Sequence, residues 1–253
     1  MSVPEIRLGC EPFRFDGGPI GLLMIHGFTG SPASMRPMGG WFADQGLGVA
    51  GPRLPGHGTT VEDLRFRHWT EWFAEVDTAL TELRRRSQTV VVFGQSFGAS
   101  LALHLAAMRP GEVEGLALTS PYVFDARHYL LPLGRLFVRT IRGFGAGDVK
   151  KPGQDELAYD TMPVRAVGTM AELMKLVRAE LPGIRTPVLV FRPSEDHSIP
   201  ASNPQRVVDT IGSERKELID CPSSYHVISL DHDAPMVRGR VLAFARELAS
   251  PGA

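Results

Sequence analysis

Cysteine is scarce in this 253-residue chain: Cys10 and Cys221 stand alone, far apart and without the spacing of metal ligands. No disulfide framework is therefore expected, and a reducing compartment suits the composition. Charge is equally short of excess, with 27 Lys and Arg against 28 Asp and Glu for a formal net charge of −1. No strongly basic face follows, and nucleic acid is not an expected partner. No run of about 18 apolar residues occurs, so no membrane-spanning helix is expected. Residues 1–18 lack a basic segment followed by a long apolar one, which argues against a secretory signal; Leu8-Gly9-Cys10 superficially resembles a lipoprotein cleavage site without the apolar segment that precedes one. The expected location is the cytoplasm. Internal repeats and low-complexity segments are missing too.

What is present, 43% hydrophobic and 22% charged residues, suffices for one large globular unit. The most informative stretch is Val90-Val91-Val92-Phe93-Gly94-Gln95-Ser96-Phe97-Gly98, a β-branched and aromatic run that ends in Gly-x-Ser-x-Gly and passes into an Ala/Leu-rich helix. A serine at the tip of so tight a strand-turn-helix needs strained backbone angles, and its flanking glycines let strand and helix pass closely. The helix N-terminus beneath it offers unpaired N–H groups where an oxyanion would develop. Ser96 is the candidate nucleophile.

Around this element the pattern alternates. Pro19 to His26 reads as a buried strand leading into the loop His26-Gly27-Phe28-Thr29-Gly30, and Ser31-Pro32 as the cap and first residue of a helix to about Gly46. A short strand at residues 48–51 and the loop Pro55-Gly56-His57-Gly58 follow. Trp69, Trp72, Phe73, Val76, Leu80 and Leu83 fall at helical spacing, with Arg84-Arg85-Arg86 as a solvated helix end. After the strand at 113–119 the rhythm breaks: residues 121–182 show no convincing strand but leucine-rich and aromatic pieces (Tyr129-Leu130-Leu131, Leu136-Phe137-Val138), read as an inserted, mainly helical cap. Alternation resumes with strand 187–191, helix 204–211, strand 216–219 and a last helix 234–248. The expected fold is α/β, a mostly parallel central sheet flanked by helices, with a core of residues 1–120 and 183–253 and a cap of 121–182.

A serine hydroxyl needs a base, and the base needs a carboxylate to fix its tautomer. Glu195-Asp196-His197 follows the strand ending at Phe191, with Asp196 the preferred acid and Glu195 the alternative. His226 lies in the loop after the strand ending at Ile219, with His232 its nearest competitor. The order nucleophile, acid, histidine is that of the α/β-hydrolase arrangement. Phe28 and Phe97 are placed to give the two backbone N–H groups of an oxyanion hole. His26 and His57 read as loop-holding groups, His104 as a satisfied core residue, and His68 and His128 as surface or packing groups. No metal and no cofactor is called for.

The segments His26-Gly27-Phe28-Thr29-Gly30 with Ser34-Met35-Arg36-Pro37, Gly56-His57-Gly58-Thr59, Glu195-Asp196-His197 and Ser224-Tyr225-His226-Val227 resemble the bacterial monoacylglycerol lipase and carboxylesterase family of serine α/β-hydrolases. The resemblance runs from about residue 20 to the end. It implies hydrolysis of medium- or long-chain carboxylic esters through an acyl-enzyme, with Ser96, Asp196 and His226 as triad. It also carries over Glu156, within Asp155-Glu156-Leu157-Ala158-Tyr159, as a polar contact to glycerol hydroxyls. The partner implied is a small ester or monoacylglycerol, with transient contact between the cap's apolar face and lipid assemblies; simple packing on the core is the alternative role of that face. One departure stands out: relatives commonly read Ser-Met-Gly-Gly where this chain has Ser96-Phe97-Gly98-Ala99, and the bulkier Phe97 bears on the wall of the acyl pocket. The same triad serves carbon–carbon hydrolases of ring-fission products, and non-catalytic binding proteins share the fold.

Overall fold

A computed structural model describes residues 4–125, 139–143 and 147–250. The pieces Tyr129-Leu130-Leu131 and Leu136-Phe137-Val138, and His128, lie outside them. Strands β1 (Phe13–Phe15), β2 (Ile20–Ile25), β3 (Gly48–Gly51), β4 (Thr89–Gln95), β5 (Gly115–Thr119), β8 (Val188–Pro193) and β9 (Lys216–Cys221) form a seven-stranded sheet. Its order is β1-β3-β2-β4-β5-β8-β9, parallel throughout except for β1, which pairs antiparallel with β3. β4 sits at the centre and is buried along its whole length, as its continuous apolar run requires of a strand covered on both faces. β9 lies at the edge, and its charged residues Lys216, Glu217 and Asp220 are exposed.

The helices are α1 (Arg36–Asp44), α2 (Val61–Arg65), α3 (Trp69–Arg84), α4 (Phe97–Met108), α5 (Val164–Glu180), α6 (Asn203–Thr210) and α7 (Ala234–Leu248). Two hydrophobic clusters cover the two faces of the sheet. One joins Leu23, Val90, Val92 and Leu118 to α3, α4 and α5; the other joins Met24, Val91, Phe93 and Ala117 to α1 and α7. α4 is apolar nearly all round and is buried on every side through its first ten residues.

Local differences from the expected elements have local causes. Ser31 does cap a helical turn, accepting from the Ala33 N–H at 3.3 Å, but that turn is a 3-10 piece over Pro32–Ser34. Pro37 has no N–H to continue the ladder, so α1 restarts at Arg36. Residues 121–182 do contain strands: β6 (Thr140–Arg142) and β7 (Thr161–Pro163) pair antiparallel. Three residues each, with no apolar run, they leave no periodic signal. α5, which follows β7, buries Val167, Met170, Leu173, Met174 and Val177 in the cluster that α3 and α4 share. His68 caps α3, its own N–H donating to Glu71 Oε1 at 2.9 Å while its ring Nδ1 accepts from the Thr70 N–H. His104 is tied to Glu180 at 2.9 Å, linking α4 to α5.

Among the described residues, no helix is long and apolar enough to cross a membrane. Both cysteines are buried and free, and burial, with the nearby Asp233 and Asp220 charges, pushes the Cys221 thiol up to about 12.

Candidate active site

The turn between β4 and α4 holds Ser96 at φ 55°, a left-handed conformation that costs a residue with a Cβ about 1–3 kcal/mol. The flanking glycines make that turn sterically feasible. A Cβ on Gly94 would stand 2.7 Å from the Ala99 Cα, and one on Gly98 would stand 2.6 Å from the His26 carbonyl oxygen and overlap that of Ile25. Gly98→Ala is accordingly expected to cost about 3 kcal/mol and to lower Tm by about 10 °C for a chain of this size. Gly239→Ala, in an exposed helical position with nothing near its Cβ, should instead add about 0.5–1 kcal/mol. Thermal melts of the two variants check both signs.

Ser96 Oγ lies 2.8 Å from His226 Nε2, and His226 Nδ1 lies 2.8 Å from Asp196 Oδ2. All three side chains are nearly buried. A carboxylate only accepts, so His226 carries its hydrogen on Nδ1 and donates it to Asp196; Nε2 is then free to accept from the Ser96 hydroxyl. The other oxygen of Asp196 accepts the backbone N–H groups of Ser198 and Ile199, each at 2.9 Å. Burial would raise the Asp196 pKa, but His226 and those two donors outweigh it and hold the carboxyl below its usual value. Burial likewise opposes the His226 imidazolium, and Asp196, with lesser help from Glu156 and Asp148, overcomes it and raises the imidazole pKa. Such a relay can take a proton from a hydroxyl nucleophile and return it to a leaving group.

Position separates the alternatives. Glu195 is half exposed and faces Lys150 at 3.9 Å, and His232 is exposed. His226 itself is held by the Ser120 hydroxyl, which donates to its carbonyl at 2.8 Å.

The loop 26–30 lies over the serine: a Cβ on Gly27 would be 3.4 Å from that of Ser96. His26 fixes this loop, its Nδ1–H donating to the Gly27 carbonyl at 2.9 Å and its Nε2 accepting the Leu54 N–H at 3.2 Å. Burial pushes its pKa down to about 4, which matches a neutral, loop-holding group. Phe97, at the first position of α4, has an N–H that no carbonyl within the helix can satisfy. Its ring is fully buried, edge-on to Phe28 at 5.8 Å and to Trp72 at 5.4 Å, so the extra bulk relative to methionine is taken up in an aromatic cluster.

Glu156 is buried, and its Oε1 accepts the Gly147 N–H at 2.9 Å. Its Oε2 lies 3.6 Å from where a Cβ on Gly30 would stand, which puts the carboxyl against the 26–30 loop. Burial raises its pKa, with the Gly147 N–H and the nearby His226 opposing the shift. Two buried acids escape a reading of the sequence. Asp231 accepts from the N–H groups of Tyr225, Lys150, Lys151 and His232, and Asp148 contacts the loop of Asp196. Both act across some 50 to 80 residues of chain, where local pattern is silent. No cluster of three or more His, Cys, Asp or Glu among the described residues could hold a metal ion.

The family model described as serine aminopeptidase, S33 (Hydrolase_4) matches residues 21–145 and 146–233. A thermostable monoacylglycerol lipase of Bacillus sp. (strain H-257) is 37% identical over 236 residues, 93% of this chain and 94% of the relative. A carboxylesterase of Bacillus subtilis (strain 168) is 23% identical over 94% of this chain and 97% of its own length. Among solved structures, one from a study of the metagenome-derived lipolytic enzymes LipS and LipT superposes with a TM-score of 0.91 at 33% identity, covering 96% of this chain and all of the other. The monoacylglycerol lipase of Paleococcus ferrophilus gives 0.80 at 17% identity over 94% of this chain and 98% of that one, a likeness of fold. With most of its length matched by that model and its parallel sheet and serine turn in place, the chain belongs to the serine aminopeptidase S33 (Hydrolase_4) family of α/β-hydrolases.

Proposed function

We propose that the protein is a serine carboxylic ester hydrolase, a monoacylglycerol lipase or carboxylesterase that releases a fatty acid through an acyl-enzyme. The observation that carries this reading is the Ser96–His226–Asp196 relay with both of its 2.8 Å links made. Ser96 Oγ attacks the ester carbonyl as His226 Nε2 takes its proton. The oxyanion forms against the backbone N–H groups of Phe28 and Phe97, and the alcohol departs with the proton held by His226. Water then attacks the acyl-enzyme, again losing a proton to His226, and the fatty acid leaves as Ser96 recovers its hydrogen. The names of the bacterial relatives favour an ester over a peptide substrate, although the same acyl chemistry would serve either.

Glu156 is proposed to meet the glycerol hydroxyls, its buried carboxyl lying against the 26–30 loop that covers Ser96. Residues 121–182 are proposed as the cap over the acyl channel, with an apolar face that touches lipid assemblies. The free, buried cysteines favour a cytoplasmic protein.

Initial rates on p-nitrophenyl esters and monoacylglycerols of increasing acyl length, with Ser96→Ala as blank, test the proposal. Serine-dependent turnover peaking on medium-to-long monoacylglycerols is expected; activity confined to short esters would reduce the reading to a general carboxylesterase. Glu156→Gln keeps an acceptor for the Gly147 N–H but replaces the second carboxylate oxygen with an NH₂ that cannot accept from a glycerol hydroxyl, so it should raise KM for a monoacylglycerol about tenfold while changing that for a p-nitrophenyl ester by less than about twofold. An equal effect on both substrates would remove Glu156 from the glycerol site.

A further inference from the structure

Asp148 takes no part in the relay, yet it touches both loops that supply it. Its Oδ2 accepts the His197 backbone N–H at 3.0 Å and the Ser198 hydroxyl at 3.4 Å, and its Oδ1 meets His197 Nδ1 at 2.8 Å. These are the two residues that follow Asp196. From the other side, its carbonyl accepts at 3.0 Å the N–H of Val227, the residue after His226. Its neighbour Gly147 donates to Glu156 Oε1. The carboxylate is only 8% exposed. Lys150 repeats the pattern more loosely: its Nζ faces Glu195 in one loop and lies over the Tyr225 ring in the other, and its N–H donates to Asp231 at 2.7 Å.

We propose that Asp148 is a positioning residue that locks the Asp196 loop to the His226 loop and, through Gly147, sets Glu156 in register with both. The proposal rests on the triad reading above. Two loops from different strand ends must agree to within a few tenths of an ångström for the imidazole to meet acid and serine together, and a residue that holds one loop through its carboxylate and the other through its backbone carbonyl removes their independent motion. It also adds charge. The ionisable groups facing His226 are Asp196 from the loop after β8, and Glu156 and Asp148 from the 147–156 segment, each favouring the imidazolium against burial. Asp148 in turn faces His197, whose pKa its hydrogen bond and charge raise, and the Glu156 carboxyl.

Asp148→Asn in the full chain keeps the shape and one acceptor but removes the charge and weakens the His197 link. The expected result is a kcat lower by about tenfold with KM within about twofold, and an acidic limb of kcat/KM that moves to lower pH. The direction follows from the base: His226 works when neutral, and losing a charge that favours its protonated form lets it stay neutral in more acid. His197→Ala keeps the backbone N–H and the carboxylate and should retain about half of kcat or more. Glu112→Gln, an exposed carboxylate beyond the far end of α4, is the control and should move neither quantity. Fluorophosphonate titration of Ser96 corrects each rate for the fraction of folded sites. An unmoved limb with unchanged corrected kcat in Asp148→Asn, or a loss in His197→Ala equal to that in Asp148→Asn, overturns the proposal. A wild-type chain without Ser96-dependent turnover fails the triad reading itself, and both then fall.

Discussion

Ser96→Ala is expected to lower kcat on a monoacylglycerol by a factor on the order of 10⁵–10⁶, and His226→Ala by nearly as much, while the double variant falls no further. Oxygen nucleophile and base act as one unit, so whichever is removed first takes the whole advantage of the relay with it. What remains, on the order of 10³ over water, is what binding and the proposed oxyanion donors would supply alone. Folding should survive the substitution, because alanine keeps the Cβ that the turn already accommodates at φ 55°. Ser96→Gly is informative beside it. Glycine occupies that region without strain, so it should be more stable than the alanine variant by about 1 kcal/mol and equally inactive. Single-turnover rates and thermal melts of the set separate the two effects. A Ser96→Ala protein within tenfold of wild type would remove Ser96 from the chemistry.

That coupling of strain to function explains why the centre of the fold was the most legible part of the chain. Val90 to Gly98 must be apolar to lie between two layers and must have glycine on both sides of the serine to let α4 pass, and both demands are written in adjacent residues. Asp196 and His226 are legible by position, each in the loop just beyond a strand, apolar in β8 and reduced to Leu218-Ile219 in β9. Pattern prefers Asp196 and leaves Glu195 as the alternative; burial, with one acid against His226 and the other half in solvent, separates them. Strand β1, Phe-Arg-Phe at an edge, is too short for its alternation to stand out in the sequence. The cap of α3 is hard to read because histidine stands where Ser, Thr, Asp or Asn is usual, although Glu71 three residues on completes a capping box. Asp148 and Asp231 mark the real limit. Their partners are fixed by tertiary structure, so an acidic residue in a loop of 147–151 or 231–233 looks solvated until the loops are folded against each other.

Asp196→Asn should lower kcat by a factor on the order of 10³–10⁴, whereas Glu195→Gln should stay within about twofold of wild type, as expected for an exposed partner of a surface lysine. The size of the first effect follows from hydrogen-bond bookkeeping at one side chain. Asp196 receives three donors: His226 Nδ1–H on one oxygen, and the Ser198 and Ile199 N–H groups on the other. Asparagine has a single acceptor oxygen. If that oxygen stays with the two backbone donors, its NH₂ faces Nδ1, and the imidazole must shift its hydrogen to Nε2 to accept there. Nε2 then points a hydrogen at Ser96 Oγ and can no longer take one from it. If the amide turns the other way, two buried N–H groups lose their acceptor, at about 1–3 kcal/mol each, and the loop that presents the side chain is disturbed. Either way the variant also loses the charge that holds the His226 pKa up, so the residual activity should show its acidic limb at lower pH than wild type. Rates and pH profiles of Asp196→Asn and Glu195→Gln side by side make the distinction. Equal losses in the two variants, or a larger loss in Glu195→Gln, would transfer the role of acid to Glu195 and require the 195–199 loop to rearrange before it could reach His226.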